Sequence, residues 1–264
     1  MARPRTYKTE ALVLKGSPFG EADRLLTLYT LDRGKLRAVA KGVRRATSKL
    51  AGHLEPLTCS LLLLAEGRNL DVVAQAETKE SFKALRDSLE ALARAMYMAE
   101  LVDAFAPEEV PNPGLYRLLL ANLRWLSARA IALDESLEAA LLRRFELRLL
   151  DLLGYRPELH RCVECSGPVT SAASFFNPRA GGVICVACRS RWSAGLLTVS
   201  PNALRLLRSL QSAEPRASPL ITSASLREEV EGLLRHYIRY LLERDVHSID
   251  FMDLLKREAS PVEA

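Results

Sequence analysis

The sequence contains no apolar run long enough to cross a membrane. Its aliphatic stretches are short, with Leu61–Ala65 among the longest, whereas a membrane helix needs about 20 apolar residues. Residues 1–5 are basic, but no signal-type apolar core follows them. We therefore expect a cytoplasmic protein, in a compartment where paired cysteines bind metal more often than they form disulfides.

The common catalytic motifs are also absent from the sequence. It has no glycine-rich phosphate loop, no dinucleotide-binding glycine turn, no nucleophile elbow and no helical zinc-protease motif. The four histidines are dispersed, and the acidic pairs Glu108-Glu109 and Glu228-Glu229 lie in segments suited to solvent exposure. The sequence therefore predicts a protein that is not an enzyme and that binds its ligand without transforming it.

Cysteine is rare, but four of the five cysteines form a pattern. Cys162 and Cys165 make one Cys-x-x-Cys pair, and Cys185 and Cys188 make a second pair after 19 intervening residues. Two such pairs can present four thiolates to one tetrahedral Zn²⁺ ion. The alternatives are a pair of disulfides or reduced thiols without metal, and His160 is an alternative ligand.

A site closed by four cysteines would be structural, because it leaves no coordination position for water or substrate. The segment between the two pairs contains turn residues such as Gly181 and Gly182 and few large apolar side chains. We therefore expect the metal to hold together a zinc-ribbon-like module over residues 156–194. Cys59 lies in an apolar strand pattern and is expected to be a buried thiol.

Positive charge is concentrated at the start of the chain. Residues 1–50 carry 12 Lys and Arg against 4 Asp and Glu, whereas residues 51–160 carry 12 against 17. A basic block beside an acidic one suggests that the N-terminal domain contacts a polyanion. We predict that a nucleic-acid phosphate backbone is bound by eight cations: Arg24, Arg33, Lys35, Arg37, Lys41, Arg44, Arg45 and Lys49.

The centre of this cationic track is a predicted strand, Lys35–Lys41. Because side chains alternate along a strand, Lys35, Arg37 and Lys41 share one face. The strand leads into a basic loop, expected to be flexible, that ends at Lys49. The alternative is a solvated positive face without a ligand, but such a face usually mixes charge signs, and no acidic residue interrupts Arg33–Lys49.

Aromatic residues are scarce in the same block, which contains only Tyr7, Phe19 and Tyr29. Proteins that bind single strands usually stack bases on such side chains. We therefore expect binding that depends mainly on charge, with little sequence preference and strong salt sensitivity. Neutralising about five phosphates would give a log–log salt slope of roughly −3 to −4 on single strands.

Hydrophobic alternation predicts five strands in the first 78 residues. They are expected at Thr9–Lys15, Arg24–Thr30, Lys35–Lys41, Glu55–Ala65 and Leu70–Glu77. Five short strands fit a small antiparallel barrel of the OB type, although an SH3-like barrel has a similar strand count. The predicted fold class is α+β, with a barrel domain over residues 1–78 and a helical domain over residues 79–264 that contains the zinc module.

Helical periodicity follows the predicted barrel. Helices are expected at Lys79–Phe105, at Leu115–Ala132 and from an N-cap at Asp134 to Leu153, where Gly154 ends the third helix. Beyond the zinc module, Ser200 and Pro201 begin a helix to Gln211, Ser225 and Glu228 form a capping box for a helix to about Asp245, and Ser248–Leu255 is a short helix. Amphipathic helices joined by short loops indicate a bundle.

Four segments of the N-terminal block carry a family resemblance. They are SPFGEADRL at Ser17–Leu25, DRGKL at Asp32–Leu36, KGVRR at Lys41–Arg45 and LEP at Leu54–Pro56. Together they resemble the RecO family of bacterial recombination mediators. The resemblance extends over essentially the whole chain, with a barrel first, helices next and the four-cysteine element inside the helical part. Many members have the four cysteines, but not all of them do.

The resemblance implies an OB-fold domain followed by a helical domain, binding of single- and double-stranded DNA, and annealing of complementary strands. It also implies cooperation with RecR and with single-strand DNA-binding protein, and help in loading RecA onto coated DNA, in the cytoplasm near the nucleoid. Family members bind the acidic, Phe-ended tail of single-strand DNA-binding protein on the helical domain. The candidate residues for this contact here are Arg117, Arg124, Arg143 and Arg144.

Two other functions stay open at the level of sequence. In the first, the zinc module is a scaffold for a protein partner and the basic face is incidental. In the second, the chain is a metal-dependent nucleic-acid enzyme, which would require a further cation site made of clustered carboxylates.

Overall fold

The computed structural model describes residues 5–130, 135–170, 174–192, 194–212 and 223–259. The chain folds into two compact units. Met1–Ile131 and Val246–Ala264 form the first unit, and Ala132–Asp245 forms the second. The domain boundary predicted at residue 78 falls within the first unit. The helices that precede and follow the second unit in the sequence belong to the same unit as the barrel.

The first unit is built on a five-stranded closed barrel, as the sequence predicted. Its strands are β1 (Thr6–Phe19), β2 (Asp23–Thr30), β3 (Gly34–Ala40), β4 (Cys59–Ala65) and β5 (Asp71–Glu80). They follow the order β1-β2-β3-β5-β4 around the barrel. Only β3 and β5 run parallel, through the short pairing of Ala38 and Val39 with Asp71 and Val72. The order is that of an OB-type barrel, and its core consists of the inward residues of all five strands.

Two strand boundaries differ from the prediction by four residues, for local backbone reasons. β1 was expected to end at Lys15, but it continues to Phe19 because, after a bulge at Val13/Lys15, residues 15–19 pair with residues 23–27 of β2. β4 was expected to begin at Glu55. It begins at Cys59 because the preceding residues form a turn, with Leu57 in the left-handed region at φ 66°.

The first predicted helix also begins later than expected. β5 extends to Glu80, and a short 3₁₀ turn at Lys83–Asp87 precedes α1 (Leu89–Phe105). Ser88 caps α1, since its side chain accepts a hydrogen bond from the Ala91 amide. Apolar residues do recur at helical spacing from Phe82 onward. Phe82 itself has φ 46° and lies at the start of the 3₁₀ turn, before the helix begins.

Two further helices complete the first unit. α2 (Pro113–Ser127) has Asn112 as its N-cap. α6 (His247–Ala259) follows the second unit in the sequence, and it packs against α1. The Glu100 carboxylate of α1 accepts hydrogen bonds from the backbone amides of His247 and Ser248, each at 2.8 Å. The first unit is thus completed by the C-terminal segment of the chain.

The described part of the second unit contains three α-helices and a small sheet. The helices are α3 (Glu135–Leu152), α4 (Pro201–Gln211) and α5 (Ala224–Leu242). The strands are β6 (Ser174–Asn177), β7 (Gly182–Ile184) and β8 (Leu197–Val199), in the order β7-β6-β8. Among the described residues, no helix is long and apolar enough to span a membrane.

The helix ends of the second unit test the capping predictions. Gly154 follows α3 with φ 83°, and the Tyr155 amide reaches back to the Leu150 carbonyl at 2.8 Å, as a C-terminal glycine motif requires. Ser200 caps α4 as predicted. The capping box at Ser225 is wrong by two residues, because Ser223 is the N-cap of α5 and accepts from the Leu226 amide. Asp134, the predicted cap of α3, lies outside the described residues.

Candidate metal centre and nucleic-acid interface

The first Cys-x-x-Cys pair lies on a tight turn that leads into the small sheet. The Ser166 amide donates to the Cys162 carbonyl at 2.8 Å, and the Cys162 amide donates to the Gly167 carbonyl at 2.8 Å. Ser166 is in the left-handed region, with φ 57°. These bonds close a tight turn, the knuckle, that carries both thiols.

Gly182 on β7 is where the knuckle packs against the sheet. The Val163 amide donates to the Val183 carbonyl at 3.0 Å. A Cβ atom at Gly182 would lie 2.6 Å from Val163 Cγ1 and 2.7 Å from the Glu158 carbonyl oxygen. Only glycine allows the knuckle to approach β7 this closely. The position of the first thiol pair therefore depends on Gly182.

The second pair lies at the start of a 3₁₀ helix, Val186–Arg191, that follows β7. The four sulfur atoms of Cys162, Cys165, Cys185 and Cys188 all lie within 4.8 Å of one another. The Cys165 and Cys185 sulfurs are 3.9 Å apart. A tetrahedral Zn²⁺ ion with Zn–S bonds of about 2.3 Å requires S–S separations of about 3.8 Å, whereas a disulfide requires about 2.05 Å. The residues therefore fit a metal ion.

The thiols are also set up electrostatically for a cation. Burial by itself would raise the pKa of Cys162, but hydrogen bonds from the backbone amides of Cys185, Cys165 and Glu164 outweigh it and lower the pKa to about 6. Burial raises the pKa of Cys188 to about 12, and the neighbouring thiols add to the effect. Four thiolates cannot share one small space without a positive charge, and a divalent ion would supply it.

The alternative ligand, His160, is not part of this cluster. Its backbone amide donates to the Glu158 carboxylate at 2.6 Å, and the residue is exposed. Within the described ranges, the four cysteines are the only group of three or more side chains placed to hold a metal. The clustered carboxylates that a metal-dependent nuclease would need are therefore not found among those residues.

The barrel cations fall into two groups, and the first group is held by acidic residues. Arg24 lies 3.1 Å from Glu55, Arg33 lies 3.4 Å from Glu66, and Arg37 lies 3.2 Å from Glu108. Lys35 is the most enclosed: its side chain is 12% exposed, and its Nζ lies 3.5 Å from the Asp103 carboxylate. All four of these acids lie outside the basic block in the sequence.

The second group consists of Lys41, Arg44, Arg45 and Lys49, which are exposed. Within the part of the chain that the structure describes, none of them forms an ion pair. Their loop was expected to be flexible, but it is a series of turns. The Arg45 amide donates to the Gly42 carbonyl at 3.1 Å, and the Ser48 amide donates to the Arg45 carbonyl at 2.9 Å. Four positive charges are thus presented to solvent on an ordered backbone.

A cleft of about 500 Å³ adjoins this loop, and the sequence did not single it out. Lys49 and His53 line it on the side of the loop. On the side of the barrel it is lined by Lys8, Leu61, Leu63 and Gln75, among others. Strand alternation places Lys8 on the outer face of β1, but only the pairing of β1 with β4 places it beside a cleft that Lys49 also lines.

The four arginines proposed for a protein contact differ in their surroundings. In the first unit, Arg117 is exposed on α2, and Arg124 forms an ion pair with Glu80 at 2.5 Å. In the second unit, Arg143 is buried and lies 2.9 Å from Glu146. Arg144 is half-buried. Arg143 also lines a narrow crevice of about 20 Å³ between α3, α4 and α5, together with Leu206, Leu210, Arg227 and Val230.

Comparison with known proteins shows which family the sequence matches. Residues 1–82 match the model "Recombination protein O N terminal", and residues 86–249 match "Recombination protein O C terminal". A protein of Roseiflexus sp. (strain RS-1) called DNA repair protein RecO is 43% identical, over 98% of this chain and 90% of its own length. Proteins of the same name are 42% identical in Heliobacterium modesticaldum, over 96% and 91%, and 36% identical in Dehalococcoides mccartyi (strain ATCC BAA-2266 / KCTC 15142 / 195), over 97% and 99%.

Proposed function

The chain belongs to the RecO family of DNA repair proteins, and we propose that it is a non-catalytic mediator that binds single- and double-stranded DNA and anneals complementary strands. The observation that carries this proposal is the ordered turn at residues 41–49, with four exposed cations and no ion pair to any described residue. Cations that are not paired within the protein remain free to replace the counterions of a phosphate backbone.

The proposed mechanism is charge screening. Two complementary strands repel each other through their phosphates, and a surface that binds both reduces this repulsion while their bases pair. Lys41, Arg44, Arg45 and Lys49 would act first. Arg24, Arg33 and Arg37 would join them where a phosphate displaces their carboxylate partners, whereas Lys35 is too enclosed to contribute much. This scheme requires no nucleotide hydrolysis.

The family membership supports a set of protein partners. We infer that the chain works with RecR and with single-strand DNA-binding protein, helps RecA load onto coated DNA, and is associated with the nucleoid. For the acidic tail of single-strand DNA-binding protein, exposed Arg117 is the simplest candidate in the first unit. In the second unit, the crevice beside Arg143 has apolar walls and Arg227 nearby, but its volume of about 20 Å³ means that a Phe ring could enter only if the helices moved apart.

The metal in this proposal is one structural Zn²⁺ ion, held by Cys162, Cys165, Cys185 and Cys188. Four cysteine ligands suit zinc, and they leave no position for a reacting water. When bound, the ion supplies positive charge and cross-links the two knuckles. The protein residues hold the knuckles in place through the backbone bonds around Gly167 and Gly182.

The test is an annealing assay on complementary oligonucleotides, without nucleotide, across a salt series. Lys41, Arg44, Arg45 and Lys49 are replaced together by Ala, and the control replaces four exposed cations elsewhere in the first unit, Arg68, Lys79, Lys83 and Arg117. Both variants lose the same charge. We expect annealing to collapse only in the first variant, while its metal content stays unchanged. An equal loss of annealing in both variants would mean that annealing depends on net charge and not on the cationic turn. Unchanged annealing in the first variant would contradict the proposal.

A further inference from the structure

The barrel has three aromatic side chains, and they differ in how much of the ring is accessible. Tyr29 is fully buried. The Arg33 guanidinium covers Tyr7, with its carbon 3.6 Å from the ring centroid, and the Tyr7 hydroxyl donates to the Asp71 carboxylate. Phe19 is 44% exposed. Of the three rings, that of Phe19 is therefore the one that a ligand can reach.

Phe19 is the last residue of β1, at the tip of the β1–β2 hairpin. It lies opposite Asp23, the first residue of β2. Gly20 makes the turn with φ 62°, and a Cβ atom there would meet no heavy atom within 4 Å. The turn is therefore open beside Gly20, and the exposure of Phe19 lets a planar ligand approach its ring.

Hydrogen bonds tie the hairpin tip to the cationic turn. The Gly42 amide donates to the Asp23 carboxylate at 2.7 Å, and the Arg44 amide donates to the Ala22 carbonyl at 2.9 Å. The Arg44 guanidinium also reaches the Glu21 carbonyl, at 3.4 Å. Because Asp23 faces Phe19 across the hairpin, the exposed ring is held next to a surface suited to phosphates.

We propose that Phe19 is a base-stacking residue, which takes one unpaired nucleobase of a DNA strand while the neighbouring cations hold the flanking phosphates. The ring offers a π-face to any base, so it adds affinity without sequence preference. The bases of a duplex are already stacked on each other, so the contact favours single strands. The stacked base is released when it pairs, so the paired product is bound less tightly than the single strands. This inference rests on the DNA-binding function proposed above.

The test compares wild type with the variants Phe19→Ala and Phe19→Leu on three probes at one salt concentration. The probes are a 30-nucleotide oligo-dT, an abasic strand of the same length, and a 30-base-pair duplex. Stacking on aromatic side chains is worth about 1–3 kcal/mol per base, so we expect roughly 5- to 150-fold weaker binding of oligo-dT by both variants. Binding of the abasic strand and of the duplex should stay within about twofold of wild type.

A third variant, Phe19→Trp, reports the contact directly and keeps the experiment decisive if Phe19→Ala folds poorly. The chain already contains Trp125 and Trp192, so wild type supplies their background emission. We expect oligo-dT to quench the added Trp and the abasic strand to leave it bright. Two results would overturn the stacking role of Phe19 and leave the DNA-binding function standing. They are an unchanged oligo-dT affinity in Phe19→Ala, or an affinity loss that is equal on all three probes. If wild type itself binds none of the probes, the DNA-binding function fails, and this inference fails with it.

Discussion

The guanidinium of Arg37 on β3 lies 3.2 Å from the carboxylate of Glu108, which follows α1 in the sequence. Both side chains are about half exposed, at 51% and 54%. An ion pair this accessible contributes little to stability, about 0–1 kcal/mol. A phosphate can therefore compete with Glu108 for Arg37. On the proposed DNA surface, the Glu108 carboxylate would occupy the position of a phosphate until DNA binds.

The first prediction concerns the ion pair between Arg37 and Glu108. Glu108→Gln should raise the affinity for single-stranded DNA about two- to threefold, because Arg37 no longer has to leave a carboxylate to bind a phosphate. The log–log salt slope should become steeper by up to about 0.7, the value for one more phosphate contact on a single strand. Fluorescence anisotropy across a salt series measures both quantities. The control is Glu109→Gln, which removes the same charge one residue away, and an equal gain there would contradict the role of Arg37.

The second prediction concerns the metal. The purified protein should contain about one Zn²⁺ per chain, measured by atomic emission, and Cys165→Ser should reduce this content strongly. Loss of the metal should lower the unfolding temperature of the second unit, because structural zinc contributes to folding directly. Cys59→Ala is the matched control, since Cys59 is a buried thiol in the barrel and is not a member of the cluster. Full zinc content in Cys165→Ser would exclude the four-cysteine site.

The third prediction compares two glycines of the second unit. Gly182→Ala should destabilise it by about 1–3 kcal/mol, because the new methyl group would overlap Val163 and the Glu158 carbonyl. Gly232→Ala should stabilise it by up to about 1 kcal/mol, because a Cβ in α5 would meet nothing within 4 Å and alanine favours a helix. Chemical denaturation with zinc present measures both changes. Effects of the same sign would show that the packing around Gly182 is not as described.

The fourth prediction is a pH dependence at the start of α1. Hydrogen bonds from the Glu90 backbone amide and from the Ser88 hydroxyl hold the pKa of Glu90 below its usual value of 4.5. A carboxyl with a lowered pKa stabilises the fold above its unfolded pKa, and this stability is lost as the pH falls through the folded value. Glu90→Gln should therefore cost roughly 0.3–1 kcal/mol at pH 7, and this cost should shrink as the pH falls and Glu90 becomes protonated. A difference from wild type that does not change with pH would contradict this origin.

Sequence patterns predicted the parts of the molecule that depend on local spacing. Alternating apolar residues predicted the barrel, and the two Cys-x-x-Cys pairs predicted the cluster that the structure brings together. Ser200 and Gly154 were recognisable as helix ends because a cap depends on its immediate neighbours. Ser223 was missed since Ser225 offers the same side chain two residues later and only the backbone distinguishes them.

What the sequence could not predict are contacts between distant segments. Lys35 and Asp103 are 68 residues apart, and Arg37 and Glu108 are 71 residues apart. The unbroken basic segment Arg33–Lys49 therefore looked uniformly available, although three of its seven cations have acidic partners. Phe19 was noted only as one of three scarce aromatics, because exposure depends on how the hairpin packs.

The contact of Glu100 with His247 and Ser248 has a consequence for biosynthesis. A ribosome delivers the chain from its amino end, so the barrel and α1 emerge long before α6 exists. Until α6 leaves the exit tunnel, the face of α1 against which it packs stays uncovered on the nascent polypeptide. Early termination of translation would therefore leave this unit incomplete as well, although its strands had all been made.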